Sequence, residues 1–462
     1  MEKIKWIKSF ASVDKDKLIN AALETENWLN KYSHRKGDEI FWDVVVEQEN
    51  DGTKLLSSDD SVYAGSAGVA QFYVRLYYVT SEEKYLNIAK AAVNHAINSY
   101  KGEEGFKTDS KYMPGVFIGY LCGGAGGAYA STQIYKITNE EKYREYALRV
   151  ADDLIKTAHE EDGTLYWYGN YGIIGEGGLI LFLLYIYETF GGEKYLDAAR
   201  KGAKYIAHHK EEAPKGGYRW YAMPTDTFPT IKKAGGYFPG FEYGAAGCGY
   251  ILASVYKYTM DEELLDAAKK AAEYIFNIAD YNDAKNAALV RYNDTYLTDV
   301  YYLGVCQGPV GTSRLFYRLY EITGEEKYKD FVVKLTNGLI ASGAPAKHSA
   351  GYWRTNCYCC GAPGMLEHLI NIHKFTGDEK YLDEAYKAAE IIIGDSTFNA
   401  GFRNWYTSWN RHEPFKSEAF TGLYHGTSGC AAALLALAGY IDNDIPKAFY
   451  LEDPYKELYS GE

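Results

Sequence analysis

The sequence is short of positive charge: 49 lysines and arginines stand against 62 aspartates and glutamates, a net charge of −13. Nucleic acids and anionic bilayers are held by clustered Lys and Arg, so neither is an expected partner. Long apolar runs are missing as well. Stretches such as GGLILFLLYIY stop well short of the roughly 20 residues that span a bilayer. The opening residues, MEKIKWIKSFASVDKDKL, hold no uninterrupted apolar core of a secretion signal. The expectation is a soluble, cytoplasmic protein without membrane contact. Cysteine is scarce and odd in number, seven in 462 residues. That excludes the dense disulfide framework of a small secreted domain and favours reduced thiols, buried or metal-bound.

What the chain has in excess is tyrosine, 46 residues, or one in ten. A large apolar body with a polar tip suits helix seams, a wide cavity, or stacking against sugar rings.

The organisation is repetitive. EEKYL or a near relative occurs six times, and seventeen residues before its Tyr (or Leu264) there is always a glycine: Gly68, Gly126, Gly178, Gly247, Gly311 and Gly364. Three residues earlier stands another glycine in every case, and a seventh G-x-x-G, Gly426 to Gly429, heads the last apolar segment. Each G-x-x-G opens a largely apolar stretch, such as VAQFYVRLYYVT. A short polar turn follows, and then an amphipathic stretch such as KYLNIAKAAVNHAI. A helix apolar all round needs cover on every side, whereas one with a single apolar stripe faces water. The apolar helices are therefore inner and the amphipathic ones outer. The pattern predicts an all-α fold, a single (α/α)7 barrel of seven helical hairpins over residues 1–462. Its repeats start near residues 63, 121, 173, 242, 306, 359 and 424. Unit seven lacks its outer helix, and the amphipathic segment within residues 1–35 is expected to supply it and close the ring.

All seven motifs mark one end of this barrel, so the residues before them line one mouth, the default site of a closed scaffold. Those residues are unremarkable in units one to three. In units four to seven they are Glu242-Tyr243, Cys306-Gln307, Cys359-Cys360 and Tyr424-His425.

With CQGPVG, CCGAPG and YHGTSG in its last three units, the chain resembles the lanthionine synthetase C-like family along essentially its whole length. The resemblance implies a zinc ion at the mouth that activates a thiol for addition to a dehydroamino acid in a peptide. Cys359 matches the family's cysteine in unit six and His425 its histidine in unit seven. Tyr424 stands where the family has cysteine, Gln307 where it has a proton-carrying histidine, and Cys360 where it has tyrosine. Arg354 is a counterpart, one position out of register, of the family's upstream arginine.

A catalytic zinc takes three protein ligands and keeps one position open. Cys359 and His425 are the expected first two, with the third from Cys306, Cys360 or the Tyr424 phenol. Without metal, His425 or Tyr424 would serve as acid or base. Glu242 is a proton donor or only a carboxylate favoured by a helix N-terminus. Cys122, Cys248 and Cys430 read as small core residues and Cys357 as connector packing. Trp167, Trp220, Trp353, Trp405 and Trp409, on the connectors, would form a platform for a peptide or a glycan. Two rival readings follow: a glycan-active α/α barrel, hydrolase or epimerase, or a non-catalytic barrel that binds peptides or small thiols.

Overall fold

Between an inner and an outer helix the same turn recurs: Thr80-Ser81-Glu82, Thr138-Asn139-Glu140, Thr259-Met260-Asp261, Thr323-Gly324-Glu325 and Thr376-Gly377-Asp378. In each, the middle residue is left-handed, with φ between 52° and 71°, which stops the inner helix. The threonine hydroxyl then accepts the amide of the acidic residue, at 3.2 to 3.4 Å. The acidic residue is the N-cap of the outer helix, where negative charge is favoured.

The computed structural model describes residues 13–48, 61–106, 119–222, 236–294, 299–353, 355–408, 413–441 and 450–459. Among them are fourteen α-helices. The inner helices are α2 (Ser66–Thr80), α4 (Ala125–Thr138), α6 (Glu176–Phe190), α8 (Ala245–Thr259), α10 (Pro309–Thr323), α12 (Ala362–Thr376) and α14 (Thr427–Ile441). The outer helices are α3 (Glu83–Ser99), α5 (Glu141–Thr157), α7 (Glu193–His208), α9 (Glu262–Ile278), α11 (Glu326–Ser342), α13 (Glu379–Gly394) and α1 (Lys15–Lys31). Each outer helix packs on the inner helix of its own hairpin, α1 on α14. No described helix is long and apolar enough to cross a membrane. The protein is thus an α/α barrel.

Helix α1 is tied down on two sides. Its Glu24 pairs with Arg403 at 2.7 Å, and its Asn27 donates to the Gly401 carbonyl at 3.0 Å. The connectors that follow α1, α5, α7, α9 and α13 each form a two-stranded antiparallel hairpin. A small sheet of Tyr406–Thr407, Glu418–Phe420 and Val45–Gln48 ties the last connector to the first.

The inner helices are buried on all faces but are not purely apolar. Arg75, Arg314, Arg318, Glu367, His368 and Asn371 all lie on them, each at most 7% exposed. Nothing in the hydrophobic pattern prepares for this polar axis.

Candidate mouth of the barrel and its thiol cluster

Backbone hydrogen bonds join the segments in front of the inner helices into a ladder that runs around the barrel from unit three to unit two. Ile174 N donates to Glu242 O, Glu242 N to Cys306 O, Cys306 N to Cys359 O and Cys359 N to Tyr424 O. Tyr424 N then donates to Tyr63 O and Tyr63 N to Leu121 O, which carries the ladder from unit seven to units one and two. The second glycine of each motif lets the chain turn back on itself here. A Cβ at Gly311 would overlap the Val305 carbonyl oxygen, and one at Gly429 that of Leu423. Each mouth residue is thereby fixed at its backbone.

Three thiols meet on this ladder. Cys306, Cys359 and Cys360 have their Sγ atoms all within 4.8 Å of one another. Cys360 lies 3.4 Å from Cys306 and 3.5 Å from Cys359, sulfur to sulfur. Cys306 and Cys359 are buried and Cys360 is partly exposed, so the cluster opens on one side. Sulfurs bound to one tetrahedral zinc lie about 3.8 Å apart, given Zn–S bonds of about 2.3 Å. Three soft donors at near that spacing, with an open side, fit a zinc ion.

The protons in the cluster are shared. Hydrogen bonds from Cys359 and Cys360 pull the Cys306 thiol down to about 6, against its burial. Cys359 and Cys360 are raised in turn, chiefly through Cys306. Cys359 also donates to Glu242 Oε1 at 3.9 Å, and burial pushes the Glu242 carboxyl well above the usual range.

His425 is not part of the triangle. It stands with Cys357, whose thiol is held well below the usual range by a hydrogen bond with Cys360 and by the charge and hydrogen bonding of His425. Its ring lies parallel to Tyr63 at 6.0 Å and edge-on to Phe420 at 4.5 Å. Cys357 therefore links His425 to the thiol triangle rather than filling a connector. Unit one is not bland either: Tyr63 is raised by burial and then by Cys359 and Glu242 beside it. Glu418, on the connector into unit seven, is 4% exposed, with His425 lowering a carboxyl that burial raises.

Gln307 and Tyr424 are each 2% exposed. Neither the Gln307 amide atoms nor the Tyr424 hydroxyl has a hydrogen-bond partner among the described residues. Buried polar groups are costly when left alone.

The aromatic platform needs correction. Trp167, Trp220 and Trp405 are 1 to 2% exposed, and each indole donates to a carbonyl near the end of the preceding outer helix: Leu154 at 3.1 Å, Ile206 at 2.7 Å and Ile392 at 2.6 Å. Trp42 does the same for Leu29 of α1, at 2.8 Å. These rings pin hairpins onto helices whose last carbonyls lack intrahelical partners. Trp353 is buried too, its indole bonded to the Ser408 carbonyl at 3.0 Å. A buried ring with a spent N–H offers no face to a sugar, so this support for a glycan reading falls away. Arg354 and Trp409 lie outside the described residues.

The profile of the family described as "Lanthionine synthetase C-like protein" matches residues 57–450. Among solved structures, nisin cyclase superposes with a TM-score of 0.62 at 15% identity, over 88% of this chain and 93% of that one. Cellobiose 2-epimerase from Bacillus thermoamylovorans B4167 gives 0.47 at 12% identity, over 92% of this chain and 99% of that one. A family 76 glycoside hydrolase from a bovine Bacteroides thetaiotaomicron strain gives 0.43 at 14% identity, over 93% of this chain and 79% of that one. At such identities the likeness to nisin cyclase is one of fold, and the two weaker matches add nothing about the site.

Proposed function

The chain belongs to the lanthionine synthetase C-like family, and from that premise we propose that it adds a cysteine thiol of a peptide across the double bond of a dehydroamino acid. Cys306, Cys359 and Cys360 would hold a zinc ion, and their mutual approach is the observation that carries this reading. Bound there, zinc would make a substrate thiol ionise at neutral pH.

The remaining work falls to side chains already at the mouth. The new S–Cβ bond forms as the π electrons of the double bond move onto Cα and its carbonyl, and Cα then takes a proton. Glu242, bonded to Cys359 at the edge of the cluster, would take the proton that the substrate thiol gives up. The Gln307 amide, buried beside Cys306, would bind the carbonyl oxygen on which charge collects. His425, one thiol away through Cys357, would return the proton to Cα, with the Tyr424 hydroxyl as second donor.

Addition within one peptide changes no mass, so the product is read as loss of alkylatable thiol. Metal analysis of the purified protein, wild type and variants, tests the site first. One zinc per chain, lost in Cys306→Ala, Cys359→Ala and Cys360→Ala but kept in His425→Ala, is the expected result. A metal-free wild type that leaves the substrate thiol free would sink the proposal and favour a binding barrel.

A further inference from the structure

The inner helices carry arginines that a barrel core cannot bury alone. Arg75, Arg314 and Arg318 are at most 5% exposed. A buried guanidinium without a partner is strongly unfavourable. Arg75 finds Glu367 on α12, at 2.6 Å. The other two find partners in the last described segment, Tyr450–Tyr459, and Arg318 is shared with Glu321 of its own helix, at 2.5 Å. Glu452 lies 3.0 Å from Arg314, and Glu457 lies 2.8 Å from Arg318 and 2.6 Å from Lys257 of α8.

The rest of the segment is held in the same way. Asp453 accepts from Asn371 of α12 at 3.4 Å, and the Tyr455 hydroxyl donates to Ser313 of α10 at 3.2 Å. Lys456 faces Glu188 of α6 at 3.9 Å. A peptide that touches α6, α8, α10 and α12 at once lies along the barrel axis. Its first residue reaches the mouth. The Tyr450 ring stacks on Tyr358 at 4.0 Å, meets Tyr424 edge-on at 5.3 Å, and lies under the Arg75 guanidinium at 4.8 Å. Tyr358 and Tyr424 each directly precede a mouth residue, Cys359 and His425.

We propose that Tyr450–Tyr459 is an internal ligand, an acidic peptide seated in a cationic axial channel, with Tyr450 positioning the two tyrosines beneath the thiol cluster. The inference stands on packing and charge and not on the chemistry proposed for the cluster. An acidic peptide of this kind is released when its charges are removed, whereas inert filler is not.

The full-length protein tests this through two readouts. One is hydrogen exchange of the 450–459 amides. The other is the rate at which the mouth thiols react with an aromatic disulfide reagent. A chelator is present throughout, so that bound metal does not mask sulfur. Tyr450→Ala should keep its helicity, while its mouth thiols react about tenfold faster through local opening. Tyr450→Phe keeps the ring, gives up only the hydroxyl's bond to Glu367 at 3.4 Å, and should match the wild type in thiol rate. Glu452→Gln combined with Glu457→Gln should speed both exchange of the segment and thiol reaction, with the outer helices unchanged. Wild-type thiol rates in a folded Tyr450→Ala protein would overturn the inference. So would a glutamine pair that frees the segment without moving the thiol rates, and this second result decides alone if Tyr450→Ala does not fold.

Discussion

The sulfur of Cys360 lies 3.4 Å from that of Cys306, 54 residues earlier in the chain. Backbone pairing between neighbouring units brings them together, because Cys306 N donates to Cys359 O at 3.1 Å. If the triangle holds zinc, replacing one vertex removes a ligand and not merely a neighbour. Cys360→Ser should weaken zinc binding by about a hundredfold or more, beyond the 10- to 100-fold of an outer-shell change. Competition with a chromophoric chelator measures it. Cobalt substitution gives a second view, since a sulfur-to-cobalt band should weaken in Cys306→Ser and persist in His425→Ala.

Trp405 is a fastener of the fold. Its indole donates to the Ile392 carbonyl at 2.6 Å and its ring is 1% exposed. Trp405→Phe leaves that carbonyl unmet and should cost about 1 to 2 kcal/mol. Trp405→Ala adds a cavity, for roughly 3 to 5 kcal/mol. Denaturant unfolding measures both. An unchanged midpoint together with weaker peptide binding would bring the platform back.

The ring of hairpins was legible because its signal is periodic: one glycine pair, one turn and one amphipathic helix, repeated at fixed spacing. The mouth was legible for the same reason, since its residues stand at a fixed place before each glycine. What the repeat does not encode is which side chains meet across the ring. Cys306 and Cys360 are joined by backbone pairing, and His425 faces Cys357 instead, neither of which has a sequence spacing. The tryptophans misled because an aromatic on a connector can face outward or inward with equal ease. Trp42, Trp167 and Trp405 each stand thirteen residues past the carbonyl they cap, a regularity that hinted at structure. The LEDPYKELY segment reads as surface by composition. Only the arginines of the inner helices signalled that buried acids had to meet them, Glu367 and Glu321 from the inner helices themselves and Glu452 and Glu457 from this segment.

Arg75 and Glu367 join α2 to α12 in a pair whose side chains are 6% and 9% exposed. Arg75→Met strands a buried carboxylate and should destabilise the protein by about 3 to 5 kcal/mol. Adding Glu367→Gln removes that charge, so the double variant should recover much of the loss. Chemical denaturation of the four proteins closes the cycle. Additive losses in the double variant would show that the two residues do not act as a pair.

Helix α1 covers α14, an inner helix of almost unbroken apolar sequence, TSGCAAALLALAGYI. Leu18, Ala21, Ala22, Trp28 and Leu29 are the buried apolar residues of α1. Deleting residues 1–35 strips that cover and should abolish cooperative melting. A soluble truncation with a sharp transition would show that the ring closes without it.

His368 makes stability depend on pH, with a definite sign. It lies buried on α12, its Nε2 2.9 Å from the Thr336 hydroxyl. That hydroxyl gives its own proton to the Val332 carbonyl at 2.9 Å, so it accepts from a neutral imidazole protonated on Nε2. Burial, and after it the Arg314 charge, push the imidazole from 6.5 down to about 3. The unfolded chain therefore takes up a proton here as pH falls below its ordinary value, while the folded chain does not until about pH 3. The stability linked to this residue is whole above pH 6.5 and drains away between 6.5 and 3. The slope is at most about 1.4 kcal/mol per pH unit. His368→Gln has no proton to gain, so denaturant unfolding at pH 7, 6 and 5 should show the wild type losing stability faster than the variant. Parallel losses in the two proteins would mean that His368 titrates normally in the folded barrel.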